Sequence, residues 1–308
     1  MTLGVFKHRI LVYNFDQSSS STLIGTYFGG KISVKGFFQG VLFPDPEDIV
    51  VINLPIDIVQ AAFIELPPVK NEKDVKRIVE LELKSAADIN EDINVGYVKS
   101  IQNKVLALYV RKSDYLQYKL SRNIEFEPDV AYPNIFAELV ITKKLPGYWM
   151  YLVLGRTNSG IVIMDGNSII GMRIIDFALE DINKIVKEET GFEILEIEQS
   201  GNEELIEATR KIIETLSSDI LGLIEREIII SINTTEIERI AINQVTGIAL
   251  ICDFAILRDI ILQSQWNFRE KVSEAITILN IPNKITFADA GLLYRGGLQL
   301  GKVKSIKW

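Results

Sequence analysis

The sequence predicts a two-lobed α/β protein with a mixed α+β unit inserted in its first lobe. Three observations predict this. Residues 148–175 contain three strand-like runs, YWMYLVL, SGIVIM and SIIGMRII, joined by GRTN and DGN. Asp165-Gly166 between alternating apolar runs is a hairpin signal, because the favoured two-residue turns need positive φ. A similar meander opens the chain over residues 9–38, as RILVYNF, TLIGTYF and ISVKGFF joined by DQSSSS and GGK. Two copies of one supersecondary unit imply a duplicated architecture, and 308 residues suit two lobes better than one small core.

After the first meander, PDPED over residues 44–48 marks a loop, and IVVINLP reads as a short buried strand. IVQAAFIELPP is strand-like. NEKDVKRIVELELKSAA then has helical spacing at Val75, Ile78, Val79, Leu81 and Leu83, with Asn71 placed as its N-cap. INVGYVKSI and KVLALYV form two strands that can pair through Gln102-Asn103, and SDYLQYKLSR reads as a helix capped by Ser113. PNIFAELVITKK is a helix leading into the second meander. FALEDINKIVKEETG is an amphipathic helix with Gly191 in the C′ position. From Asn202 to about Ile230 the three-four spacing of Leu205, Ile206, Ile212, Ile213, Leu216, Ile220, Leu223 and Ile224 predicts a long helix. IERIAINQV reads as a buried strand, DFAILRDIILQSQ as a helix, and AGLLYRGGL as the core of a last helix from Asp289.

Composition excludes several functions. Lys and Arg total 33 against 41 Asp and Glu, so the net charge of −8 opposes non-specific binding to nucleic acid or to an anionic membrane. Lys302, Lys304 and Lys307 are the exception, a short basic run whose ordinary reading is a solvated terminus. One cysteine, Cys252, allows no internal disulfide and fits a reducing compartment. No secretory signal or long uncharged apolar run occurs, and Asp253 interrupts the longest candidate, VTGIALICDFAIL. A cytoplasmic protein that meets a membrane only through a partner is expected. With His8 the only histidine, a Ser-His-Asp or Cys-His mechanism would rest entirely on it, no serine or cysteine sits in a G-x-S-x-G setting, and one His with one Cys cannot supply an ordinary tetrahedral zinc site. P-loop and strand-linked G-x-G-x-x-G patterns are absent. The acidic face of Glu72, Asp74, Glu80 and Glu82 reads as solvated helix surface.

The turns of the two meanders remain. DQSSSS, with Asp16, Ser18 and Ser19, and GRTNS, with Gly155, Thr157, Asn158 and Ser159, have the composition of backbone anion nests, although on composition alone two plain polar hairpin turns are the favoured reading.

The duplicated meander with such a turn in each lobe resembles the actin-like ATPase (ribonuclease H-like) fold. Within it the chain is similar to the type IV pilus assembly protein PilM, to the cytoplasmic part of the type II secretion protein GspL, and more distantly to the cell-division protein FtsA. INLP and IELPP before RIVELELK resemble the PilM pattern of two Leu-Pro pairs before a glutamate-bearing helix. KVLALYVRKSDYLQYKLS and EFEPDVAYPNIFAELV resemble the return to the first lobe, and DAGLLYRGG the closing helix.

The resemblance implies a first-lobe core at 1–50 and 124–146 and an inserted subdomain at 51–123. It places the second-lobe core at 147–176 and 236–308, its last helix free to return to the first lobe, and a second subdomain at 177–235. Where ATP-binding relatives carry an Asp-x-Gly turn in each lobe, this chain has NFDQSSSS, with Asn14 or Asp16 but no glycine, and LVLGRTNS, with Val153 in the carboxylate position. Gln244 and Val245 of IAINQVTGIA stand where two glycines would accept adenosine. An apolar Val153 cannot hold Mg²⁺ or its waters, and side chains at glycine positions block close backbone approach. No cofactor is therefore expected, the turns being vestigial phosphate turns, and ATPase activity is expected to be lost. The expected role is a scaffold or adaptor at a pilus or secretion platform of the inner membrane. It would bind the cytoplasmic tail of a PilN-like membrane protein and lie near the motor ATPase, with self-association left open. The alternatives are a working actin-like ATPase or an FtsA-like filament former, the latter calling for a longer amphipathic end than GKVKSIKW.

Overall fold

The computed structural model describes residues 7–16, 21–67, 72–86, 89–235, 240–282 and 284–308. Apolar runs long enough to be buried on both faces become the central strands of two sheets. In the first meander β1 (His8–Tyr13) pairs antiparallel with β2 (Ser21–Phe28), and β2 with β3 (Lys31–Gln39). Gly29 and Gly30 take φ of 57° and 88° in the second turn, which only glycine adopts freely. β4 (Ile49–Leu54) adds parallel to β1.

After a 3₁₀ turn at Ile56–Ile58 come β5 (Gln60–Glu65), α1 (Glu72–Ala86), β6 (Ile93–Lys99) and β7 (Lys104–Arg111). They form a sheet of order β5-β7-β6 with α1 on one face, where Val79 and Leu83 pack on Ile64, Val105 and Ala107. Gln102 and Asn103 both take positive φ, 54° and 57°, so the β6–β7 hairpin closes as the sequence predicts. α2 (Lys112–Ser121) follows β7 directly. Its N-cap is Arg111 without a side-chain bond, so Ser113 lies inside the first turn instead of capping it. Asn71, read as the cap of α1, lies outside the described residues. β8 (Val130–Pro133) adds parallel to β4 and leads into α3 (Asn134–Val140).

The second meander is β9 (Tyr148–Leu154), β10 (Ser159–Asp165) and β11 (Ser168–Ile175), with φ 55° at Gly166 in its tight turn. Then come α4 (Leu179–Thr190), ended by Gly191 at φ 82°, α5 (Ile194–Ser200), and α6 (Glu203–Asn233), whose first turn is capped by Asn202. Among the described residues of IERIAINQV, 240–245, no strand forms. Residues 236–239 lie outside the described set and Ile242–Gln244 make a 3₁₀ turn, while β12 (Gly247–Cys252) carries the pairing to β9. Six consecutive buried residues in GIALIC fill a position covered on both sides, whereas Ala241, Ile242, Asn243 and Gln244 all stand exposed. α7 (Ala255–Gln263), β13 (Val272–Glu274), α8 (Phe287–Leu300) and β14 (Ser305–Lys307) complete the chain.

The two larger sheets share one topology. Their orders are β14-β3-β2-β1-β4-β8 and β11-β10-β9-β12-β13, each an antiparallel meander extended by parallel strands beside its first member. α8 lies on the first sheet, with Leu292 and Leu293 against Ile10, Leu23 and Ile32, and β14 pairs with β3, so residues 286–308 pack with the first lobe. β4 starts at Ile49 and belongs to that same sheet, so a boundary at 51 falls inside a strand. Among the described residues no helix is long and apolar enough to cross a membrane.

Candidate functional site

In sheets with parallel strands, ligand sites form beyond the carboxyl ends of those strands. Here the ends of β1, β9 and β12 converge with the first turns of α3, α4 and α8. The enclosed space is small, about 20 Å³, lined by Asn14, Asp16, Asn134, Glu138, Arg156 and Asp253 among others. That is room for roughly one water.

Polar side chains from both lobes close it. Beyond β1, Asn14 donates to Asp289 Oδ1 at 2.9 Å and accepts at Oδ1 from Asn134 at 3.3 Å. The Phe15 amide donates to Asn53 Oδ1 at 2.8 Å, which fixes the chain leaving β1 onto the end of β4. Asp16 Oδ2 accepts from Asn134 Nδ2 at 2.6 Å and from Thr157 Oγ1 at 3.0 Å. Asp16 belongs to the first meander and Thr157 to the second, so the two turns singled out by their composition bond directly to each other.

The second turn is shaped by its own packing. A β-carbon on Gly155 would lie 2.2 Å from the Asn158 carbonyl oxygen, so glycine is required there for close backbone approach. The Gly155 and Arg156 carbonyls accept from the Leu179 and Glu180 amides at 3.0 and 2.9 Å, which ties the start of α4 to the turn. Arg156 is held by Glu180 at 2.9 Å and Glu193 at 3.0 Å. Val153 is fully buried in β9.

Four carboxylates, Asp16, Glu138, Asp253 and Asp289, meet around this point. Burial pushes Glu138 well above the ordinary carboxylate range, reinforced by Asp253, Asp16 and Asp289. Burial likewise raises Asp253, with Asp289 adding to it, although the Phe287 amide donates to Asp253 Oδ1 at 2.7 Å and opposes the shift. Asp16 is raised by burial and partly restored by its bonds from Thr157 and Asn134. Carboxyls in this state hold protons and hydrogen-bond donors in place, and Asp253 in addition caps the start of α8. Among the described residues no group of three or more His, Cys, Asp and Glu could hold a metal ion.

Of the residues read as vestigial phosphate turns, Asp16, Gly155 and Thr157 are brought together. Ser18 and Ser19 lie outside the described residues. Asn158 and Ser159 do not line the space, and Ser159 is fully buried at the start of β10. Gln244 and Val245 are a misplacement. They precede β12, at the end remote from the cleft, where the Thr246 amide donates to Tyr148 at the start of β9. The segment that does reach the cleft from β12 is Asp253-Phe254, beyond the strand's carboxyl end. Asn134, Glu138, Asp253 and Asp289 escaped sequence reading. The one available signal was Asp253, the lone charge within VTGIALICDFAIL.

No family model and no curated protein matches the chain. Solved structures do. The PilM–PilN type IV pilus biogenesis complex matches at 13% identity and a TM-score of 0.56, over 95% of this chain and 99% of that one. The cytoplasmic domain of EpsL, an inner-membrane component of the type II secretion system of Vibrio cholerae, matches at 11% identity and a TM-score of 0.35, over 56% of this chain and 71% of that one. An archaeal actin homologue in complex with ADP matches at 12% identity and a TM-score of 0.39, over 91% and 96%. The chain has the actin-like, two-lobed fold.

Proposed function

We propose that this protein is a non-catalytic actin-like adaptor that holds an extended tail of a PilN-like membrane partner, and thereby works at the cytoplasmic face of a pilus or secretion platform. The observation that carries this reading is the direct bond from Thr157 to Asp16 across the cleft. The two turns that would embrace a phosphate chain are bonded to each other, around a space of about 20 Å³. Val153 presents no side-chain oxygen at the end of β9, and Arg156, the cation lining the space, is already engaged by Glu180 and Glu193. The likeness to a PilM–PilN complex over 95% of the chain adds a partner class.

A groove fits that partner. Pro55, Asp57 and Ile58 on one side and Asp114, Gln117, Tyr118, Ser121 and Arg122 on the other line an open cleft of about 510 Å³, between the strand leaving the first sheet and α2. Gln117 and Ser121 stand exposed one helical turn apart on the face of α2 that lines it. An extended peptide can place alternate side chains in such a groove while its backbone bonds to the walls.

The experiment is a calorimetric titration with a synthetic cytoplasmic tail of a PilN-like protein from the same organism, and separately with Mg-ATP. Saturable peptide binding that weakens at least tenfold when the groove is filled by Gln117→Trp/Ser121→Trp, with no heat from Mg-ATP, is expected. Micromolar Mg-ATP binding would overturn the loss of the nucleotide site. A well-folded sample that ignores the peptide would overturn the adaptor role.

A further inference from the structure

The acidic residues of this protein avoid one corner. Although the net charge is −8, neither residues 21–44 nor residues 290–308 contain an Asp or Glu. The fold places these two segments side by side. β14 pairs parallel with β3 through Ser305–Lys31, Ile306–Ile32 and Lys307–Ser33, and the Lys304 amide donates to the Gly30 carbonyl at 2.7 Å. Lys31, Lys35, Lys302, Lys304 and Lys307 are all exposed, and none forms an ion pair with a described carboxylate.

The same corner has an open sheet edge. β14 covers only the first three residues of β3, and among the described residues no strand pairs with residues 34–39 on the side away from β2. Edges are usually guarded by lysine and by bulges, and Lys35 with the bulge before Gly36 guards the middle of this one. Beyond the bulge the guard stops. Phe37 and Phe38 are 41% and 45% exposed, and Phe43 just after the strand is 68% exposed. Strand alternation, reset by the bulge, puts Phe28, Lys31, Phe38 and Lys307 on the sheet face away from α8.

We propose that the free edge of β3 is a strand-addition site for an extended acidic segment of a partner protein, with apolar side chains at alternate positions. The bare backbone groups of residues 34–39 bond to the added strand, its apolar residues lie on the α8 face over Phe37, and its carboxylates on the opposite face meet Lys31 and Lys307, with Lys35 beside them at the bulge. Basic charge beside aromatic residues also suits an anionic lipid surface, but a bilayer cannot satisfy a row of unpaired backbone groups, whereas a peptide strand does. This surface is on β3, apart from the groove beside α2, and stands whether or not that groove holds a tail.

The test uses the full chain and a fluorescein-labelled peptide of alternating glutamate and valine, about six residues long, the usual strand length. The matching lysine–valine peptide and anionic phosphatidylserine vesicles serve as the other two arms. Saturable binding of the glutamate peptide alone is expected, weakened at least tenfold in Lys31→Glu/Lys35→Glu and in Phe37→Ser, both with unchanged melting temperature. Hydrogen exchange must slow at residues 34–39 on binding. Absence of saturable binding, equal binding of the lysine peptide, binding without new protection at residues 34–39, or binding to vesicles in place of the peptide would each overturn the proposal.

Discussion

Two glycines inside helices should respond oppositely to the same substitution. Gly222 lies on the exposed side of α6, and a β-carbon there meets nothing within 4 Å. Gly291 lies in α8 against α3, where a β-carbon would sit 1.9 Å from the Ala137 carbonyl oxygen and 2.3 Å from its carbon. Either change to alanine gains helix propensity, about 1 kcal/mol. Gly222→Ala keeps that gain, and its melting temperature should rise by about 1–3 °C. In Gly291→Ala an ordinary contact of about 3.5 Å demands that the helices part by roughly 1.5 Å. Overpacking of this kind costs about 1–3 kcal/mol. The separation also pulls Asp289, on α8, away from Asn14, stretching a buried 2.9 Å hydrogen bond whose loss costs about 1–3 kcal/mol more. After the propensity gain is subtracted, the net loss is about 1–5 kcal/mol, or a fall of roughly 2 °C or more. Differential scanning calorimetry with urea unfolding measures both variants. A Gly291→Ala protein that melts with or above the parent would refute the close α3–α8 contact and the account of how Asp289 is placed.

Three further outcomes follow from the site and its supports. Glu138 and Asp253 have folded pKa values above their unfolded ones, so the folded state binds the extra protons. The stability they contribute is full below about pH 4 and is lost as pH rises from there through the raised folded values. Glu138→Gln should therefore flatten the decline with rising pH measured by urea unfolding, and exceed the parent in stability at the alkaline end of that decline. Thr157→Val removes the donor that spans the lobes to Asp16, so it should cost about 1–2 kcal/mol and speed amide exchange in both turns. Gly191→Ala meets no neighbour but must hold φ 82°, and should lose about 1 kcal/mol from strain alone in the same unfolding assay.

What the sequence discloses is local. Gly29-Gly30, Gln102-Asn103 and Gly191 each sit where the backbone takes positive φ, and the elements they delimit are legible because that chemistry acts within a few residues. The strand between α6 and α7 is different. IERIAINQV and GIALIC are both short apolar runs, and periodicity cannot separate them. Pairing with β9 on one side and β13 on the other decides, and that is a tertiary fact. The duplicated topology is visible as two meanders, yet the parallel strands that extend each sheet come from distant segments. The candidate site is less legible still. Asn14 bonds to Asp289 across 275 positions and Asn134 reaches Asp16 across 118, with no spacing that could mark either pair.

The bond across the cleft and the acid cluster beneath it support each other. Four carboxyls gathered in one place need compensation, from cations, from protons or from hydrogen-bond donors. Arg156 lines the space but is engaged by Glu180 and Glu193. The donors are instead Asn14, Asn134, Thr157 and the Phe287 amide, and the raised carboxyls keep protons. Two of these donors are placed only while the lobes stay together, since Thr157 of the second lobe reaches Asp16 of the first and the Phe287 amide of α8, packed on the first lobe, reaches Asp253 of the second. Opening the cleft would strip Asp16 and Asp253 of one donor each and expose the cluster to ionisation. On the proposed reading, the residues that line the cleft hold the two lobes as one body, and a rigid body is what an adaptor needs to present a groove on one side and a sheet edge on another.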